Sequence, residues 1–100
     1  MNDQYKNIAI DDAKELISKG AIIADIRDEA SYVAGHIEGA VHLSDNNVQD
    51  FILNSDHDSP LIVCCYHGHS SQPAAQYLAS QGFDEVYSLI GGYTAWAANS

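Results

Sequence analysis

The sequence predicts an α/β domain with a central, mostly parallel five-stranded sheet and helices on both faces. Three observations predict it. Short runs rich in β-branched residues, at 21–26 and 61–64, are apolar at consecutive positions, as strands covered on both faces must be. Between the strand candidates lie segments whose apolar residues recur at helical spacing. The connections are short, which favours strands and helices in alternation around one parallel sheet.

Taken in order, Asn7-Ile8-Ala9-Ile10 is the first strand, and Asp11 or Asp12 then caps a helix with Ala13, Leu16 and Ile17 on one face. Gly20 ends it. Residues 21–26 are the second strand, apolar until Asp25. A helix starting at Asp28 or Ser31 carries Tyr32 and Val33 and closes at Gly35. The connector Gly35-His36-Ile37-Glu38-Gly39-Ala40 leads into an extended Val41-His42-Leu43. Ser44 or Asp45 caps a third helix that uses Val48, Phe51, Ile52 and Leu53 and stops near Asn54. After the polar loop 54–60, residues 61–64 are the central strand, and Ser71-Gln72-Pro73-Ala74-Ala75 opens a fourth helix. Ala74, Tyr77 and Leu78 mark one face of that helix, and Gly82 ends it. Residues 85–89 are the last strand. Gly91-Gly92 turns the chain into a final helix over 93–98, in which Trp96 docks on the core.

One hundred residues with 46% hydrophobic and 18% charged side chains make one soluble domain, residues 1–100. No apolar run follows Met1-Asn2-Asp3-Gln4, and no stretch approaches a membrane span, so a cytoplasmic setting is expected. The net charge is −10, and Lys6, Lys14, Lys19 and Arg27 are the only strong cations. Nucleic acid and anionic membranes are therefore excluded as expected partners. The two cysteines are neighbours, Cys64 and Cys65, which rules out a disulfide framework. Metal binding by the five histidines is not expected, because no pair shows helical ligand spacing.

The chemistry concentrates between the central strand and the helix after it. Cys65 sits where the chain leaves the strand, and Tyr66-His67-Gly68-His69-Ser70 must curl tightly before the helix begins at Ser71. Such a curl turns successive N–H groups inward as an anion-binding nest, and the helix adds the positive end of its dipole. A thiol over that cradle ionises below its free pKa of roughly 8.5, since the amides stabilise the thiolate. Cys65 is thus a candidate nucleophile. Gly68 allows close backbone approach, and Ser70 and Ser71 offer a cap and hydroxyl donors. Cys64 points the other way, into the core.

Together, the loop CYHGHSS with its helix SQPAAQYLASQGF, the upstream DIRDEASYVAGHIEGAVHL and the closing GGYTAW resemble the rhodanese domain over essentially the whole chain. The resemblance implies the three-layer rhodanese-like fold, an active-site cysteine at Cys65 and a binding loop of Tyr66, His67, Gly68, His69, Ser70 and Ser71. It implies ping-pong transfer of sulfane sulfur through a Cys65 persulfide, with no metal or organic cofactor. The donor it suggests is thiosulfate, and the acceptor cyanide, a dithiol or a thioredoxin-like protein. Many rhodaneses carry Arg or Lys inside the loop; this sequence has Tyr66, His67 and His69 instead. Partial protonation of His67 and His69 would supply that cation, and solvent-facing filler is the alternative.

Two further readings of Cys65 stand beside transfer catalysis. One is a sulfur-carrier or non-catalytic interaction module, in which the thiol is idle or loaded by a partner. The other is a cysteine phosphatase or arsenate reductase. Those sites resemble Cys-x5-Arg, with a bidentate guanidinium on the oxyanion, whereas no arginine follows Cys65 and Ser71 stands at the equivalent position. Arg27, in an Asp25-x-Arg27 element at a strand end, either assists an incoming anion or clamps the loops through an ion pair. His36 reads as a hydrogen-bonded structural histidine, and His42 and His57 as surface or packing residues. A chain this short is expected to build only a shallow site.

Overall fold

Leu61, Ile62, Val63 and Cys64 form the strand on which the sheet is centred, and none of the four is accessible to solvent. A computed structural model describes residues 4–99, so the opening Met1-Asn2-Asp3 lies outside the described residues. The strands are β1 (Lys6–Ile8), β2 (Ile22–Asp25), β3 (Val41–His42), β4 (Leu61–Cys64) and β5 (Val86–Leu89). They pair in the order β1-β5-β4-β2-β3, and every pairing is parallel. The helices are α1 (Ile10–Ser18), α2 (Glu29–Ala34), α3 (Val48–Asn54), α4 (Ser71–Ser80) and α5 (Gly92–Ala98).

Side-chain alternation along β4 feeds two separate cores. Leu61 and Val63 join Ala75, Leu78 and Ala79 of α4 and Ile52 of α3 on one face of the sheet. Ile62 and Cys64 join Ala13 of α1 on the other, with Leu16, Ile17 and Trp96 packed against them. Each fully buried Leu or Ile side chain contributes on the order of 1.5–3 kcal/mol, so β4 ties both layers to one strand.

The register sets the position of the site. Asp25 of β2 lies opposite Cys64 of β4, and Val63 opposite Ser88 of β5. Connections leave β2 and β4 in opposite directions, β2 toward β3 and β4 toward β5. In an open parallel sheet the crevice beyond two such strand ends is where ligands bind. Cys65 is the residue after β4, and Arg27 lies two residues past the end of β2.

Several local expectations change. Helix α1 begins at Ile10 with Ala9 at its N-cap, so Asp11 and Asp12 lie in the first turn, where they favour the helix dipole without capping it. Ahead of α3, Ser44 N–H donates to the Asn47 side chain at 2.7 Å, and the helix starts only at Val48. The chain must turn there before helical spacing applies. Leu53 and Val33, expected on apolar faces, are 79% and 72% exposed. The buried face of α4 is Ser71, Ala75, Leu78 and Ala79, and Tyr77 is exposed. On α2, Asp28 is the cap: its Oδ2 accepts from Ser31 N–H at 3.0 Å. No helix of the described residues is long and apolar enough to cross a membrane.

Candidate active site

Cys65 is the first residue past β4, and its sulfur lies beneath the start of α4. The Gly68 N–H donates to Sγ at 3.1 Å, and Ser71 Oγ is 3.2 Å from it. The N–H groups of His67 and Ser71 act on the same sulfur. Burial is the largest single influence and pushes the thiol pKa up. The Ser71 hydroxyl and N–H, with the Gly68 and His67 N–H groups, together outweigh it and hold the thiol below its ordinary range. Cys65 is 2% exposed, so the nest closes over its thiol more completely than a shallow site would. Behind it, Ser71 Oγ meets Ser88 Oγ at 2.7 Å, with both serines fully buried.

Why the amides face inward follows from where the carbonyls go. Tyr93 N–H donates to the Cys65 carbonyl at 2.8 Å and Thr94 N–H to the Tyr66 carbonyl at 3.1 Å, so the first turn of α5 draws both outward. The Gln72 side-chain amide donates to the Gly68 carbonyl at 2.9 Å and is steadied by Tyr5, whose hydroxyl donates to Gln72 Oε1 at 3.1 Å. Gly68 has φ +92, and a Cβ there would lie 2.8 Å from Gly91 N. Gly92 has φ +60, and its Cβ would lie 2.5 Å from the Cys65 carbonyl oxygen. These contacts require glycine on both sides.

The Gly91-Gly92 turn therefore positions the loop, a role the sequence reading missed. Two successive glycines, where a turn needs one, were the available signal. Gln72 and Tyr5 carried none. Ser70, expected as a cap, has helical dihedrals and makes no side-chain cap bond. His67, His69 and Ser70 are exposed along the rim, and the Tyr66 hydroxyl donates to Asp28 Oδ1 while accepting from Asp28 N–H at 3.3 Å.

Arg27 makes the contacts of a clamp, and it also lines the groove beside β2. Its Nη2 donates to Asp25 Oδ2 at 2.7 Å and to the Gly35 carbonyl at 2.7 Å, and its Nε donates to both Asp25 oxygens at 3.1 Å. The guanidinium also lies 4.1 Å from the centre of the Tyr93 ring. The hydrogen bond to Asp25 raises the Arg27 pKa above its already high ordinary value. This charge is committed to holding the end of β2 against the Gly35 connector and α5. Cys64 faces the opposite core, where burial, reinforced by Asp25, pushes its thiol up to about 12. Both cysteines are free thiols.

The remaining histidines hold structure. His36 Nδ1 is 2.7 Å from the Tyr32 carbonyl and its ring stacks on Tyr32 at 3.9 Å. His42 Nε2 is 2.6 Å from the Arg27 carbonyl, and His57 Nε2 is 2.6 Å from the Ile52 carbonyl with its ring on Phe83. A groove of about 790 Å³ runs between the β2 and β3 ends and α4, walled by Arg27, Asp28, Glu29, His42, Asp45 and Tyr77 among others; Cys65 is not in its walls.

The comparisons with known proteins agree with this geometry. The rhodanese-like domain family matches residues 9–99. A protein of Ectopseudomonas mendocina named thiosulfate sulfurtransferase GlpE is 55% identical over 95 residues, covering 95% of this chain and 87% of that one. A protein of Pseudomonas fluorescens with the same name is 53% identical over 93 residues, covering 93% and 85%. Among solved structures, a rhodanese-like domain protein from Staphylococcus aureus aligns with a TM-score of 0.78 at 27% identity, over 91% of this chain and 90% of that one. With a family match over nearly its whole length and relatives more than half identical, the chain belongs to the rhodanese family.

Proposed function

We propose that this protein is a thiosulfate sulfurtransferase that works through a persulfide on Cys65, in the reduced setting of the cytoplasm. The observation that carries the reading is the convergence of Gly68 N–H and Ser71 Oγ on one sulfur, at 3.1 and 3.2 Å. Donors so arranged lower the cost of a negative sulfur without a proton acceptor, so no general base is needed. The Cys65 thiolate attacks the outer sulfur of thiosulfate; the S–S bond to the sulfonate breaks and sulfite leaves with its electron pair. The product is a Cys65 persulfide anion, whose terminal sulfur meets the same ring of donors. Cyanide or an acceptor thiolate then attacks that terminal sulfur and regenerates the Cys65 thiolate, giving thiocyanate or a new persulfide. Tyr66, His67, His69 and Ser70 form the exposed side of the loop, and this rim must open for a donor to reach a residue that is 2% exposed.

Mass spectrometry after incubation with thiosulfate tests this directly. One added sulfur atom on the peptide containing Cys65, with stoichiometric sulfite release, is the expected result, and Cys65→Ser abolishes both. An unmodified peptide with no sulfite would overturn it. The buried Arg27–Asp25 pair speaks against phosphatase or arsenate chemistry, because the nearest guanidinium is already occupied.

A further inference from the structure

Ser88 lies on β5, outside the Cys65 loop and its helix, yet its hydroxyl is 2.7 Å from Ser71 Oγ. The neighbours of Ser88 on β5 are Val86, Tyr87 and Leu89, and a buried serine among them must have its hydroxyl satisfied. We propose that Ser88 is a positioning residue for the reacting sulfur: its hydroxyl orients Ser71, and Ser71 in turn holds its proton on the line to Cys65 Sγ. The inference rests on Cys65 being the reacting group.

Donor direction gives the arrangement its function. In the neutral thiol, S–H donates to Ser71 Oγ, and Ser71 donates to Ser88. Once the thiol loses its proton, both hydroxyls must turn, so that Ser88 donates to Ser71 and Ser71 donates to the thiolate. Each hydroxyl in such a chain polarises the next, in an interior where such bonds are stronger than in water. Removing Ser88 leaves the neutral form a way to relax, since Ser71 can donate to sulfur while S–H turns aside. The thiolate has no equivalent relief, because it keeps the same bond without polarisation or orientation from behind. Loss of the Ser88 hydroxyl therefore raises the pH at which Cys65 ionises.

The test is iodoacetamide alkylation of Cys65 as a function of pH, without any sulfur donor, on the full chain with urea titration as the check on folding. In Ser88→Ala the midpoint moves up, and the rate near neutral pH falls about three- to tenfold, the net worth of one ordinary hydrogen bond. Ser88→Thr and Ser88→Val have nearly equal volume, so any packing disturbance is common to both. The hydroxyl-bearing Thr variant is expected to keep the lower midpoint. A Ser88→Ala profile that superimposes on the parent, or Thr and Val variants that titrate together, would overturn the proposal. Persulfide formation on the parent protein is scored separately, so its failure would remove the sulfurtransferase reading and leave the titration result standing.

Discussion

Replacing Gly92 with alanine probes the site from outside its loop. The added Cβ would lie 2.5 Å from the Cys65 carbonyl oxygen and 2.6 Å from the Tyr66 carbonyl carbon and oxygen. Non-bonded heavy atoms settle at about 3.5–4.0 Å, so the loop and the first turn of α5 must separate by about 1 Å. All the atoms met are backbone, so no side chain can swing away. Separation stretches Tyr93 N–H to Cys65 O, now 2.8 Å, and Thr94 N–H to Tyr66 O, now 3.1 Å. Two such bonds contribute roughly 1–3 kcal/mol. The φ of +60 adds about 1–2 kcal/mol for any residue with a Cβ. Together these cost about 2–5 kcal/mol, which a domain with a stability of about 5–15 kcal/mol can survive. The larger effect falls on chemistry, since a 1 Å misplacement of reacting groups can cost about 100-fold in rate. Urea titration gives the stability, and single-turnover sulfite release from thiosulfate gives the rate. A Gly92→Ala protein with parental stability and a parental rate would show that the close approach constrains nothing, and would refute the account of how the loop is held.

Three other outcomes follow from the same geometry. With Arg27 neutralised by Asp25 and a net charge of −10, kcat/KM for thiosulfate should rise severalfold from low salt to 0.15 M as like-charge repulsion is screened; a fall would refute the absence of electrostatic attraction at the rim. Asp25→Ala leaves the Arg27 guanidinium buried and unpaired and should cost about 3–5 kcal/mol in urea titration, with a loss under about 1 kcal/mol contradicting the clamp. Because the folded thiol of Cys65 ionises below its ordinary range, it adds stability that is fully present above the unfolded pKa and is lost as pH falls through the folded value. Unfolding of the parent and Cys65→Ala across that window should therefore diverge as pH rises, while Cys64, with its thiol near 12, stays unalkylated; parallel curves or early Cys64 labelling would argue otherwise.

How much of this was legible in the sequence depended on whether the cause was local. The bounds of β4 and α4 agree with the residue pattern because β-branched residues and the helix start at Ser71 act over a few positions. The tight curl after Cys65 was readable for the same reason, though not which of its amides meets the sulfur. The duties of Gly92, Gln72, Tyr5 and Ser88 were not, because each depends on a contact between segments distant along the chain. Leu53 misled because helical spacing reports a face only where a neighbour covers it, and α3 is too short to be covered all round. The contacts of Arg27 with Gly35 and Tyr93 were not legible either, because Gly35 lies across α2 from it and Tyr93 far along the chain.

The dependence of the loop on Tyr93 and Thr94 also bears on the history of each molecule. Ribosomes make Cys65 before they make the residues that pin its carbonyl, so a half-finished chain carries an ordinary, weakly acidic thiol. The carbonyls of Cys65 and Tyr66 gain their partners only once the first turn of α5 has docked. A released chain lacking residues 91–100 should therefore alkylate at Cys65 with the pH profile of an ordinary thiol, and a low midpoint kept without α5 would show that the loop holds its own shape.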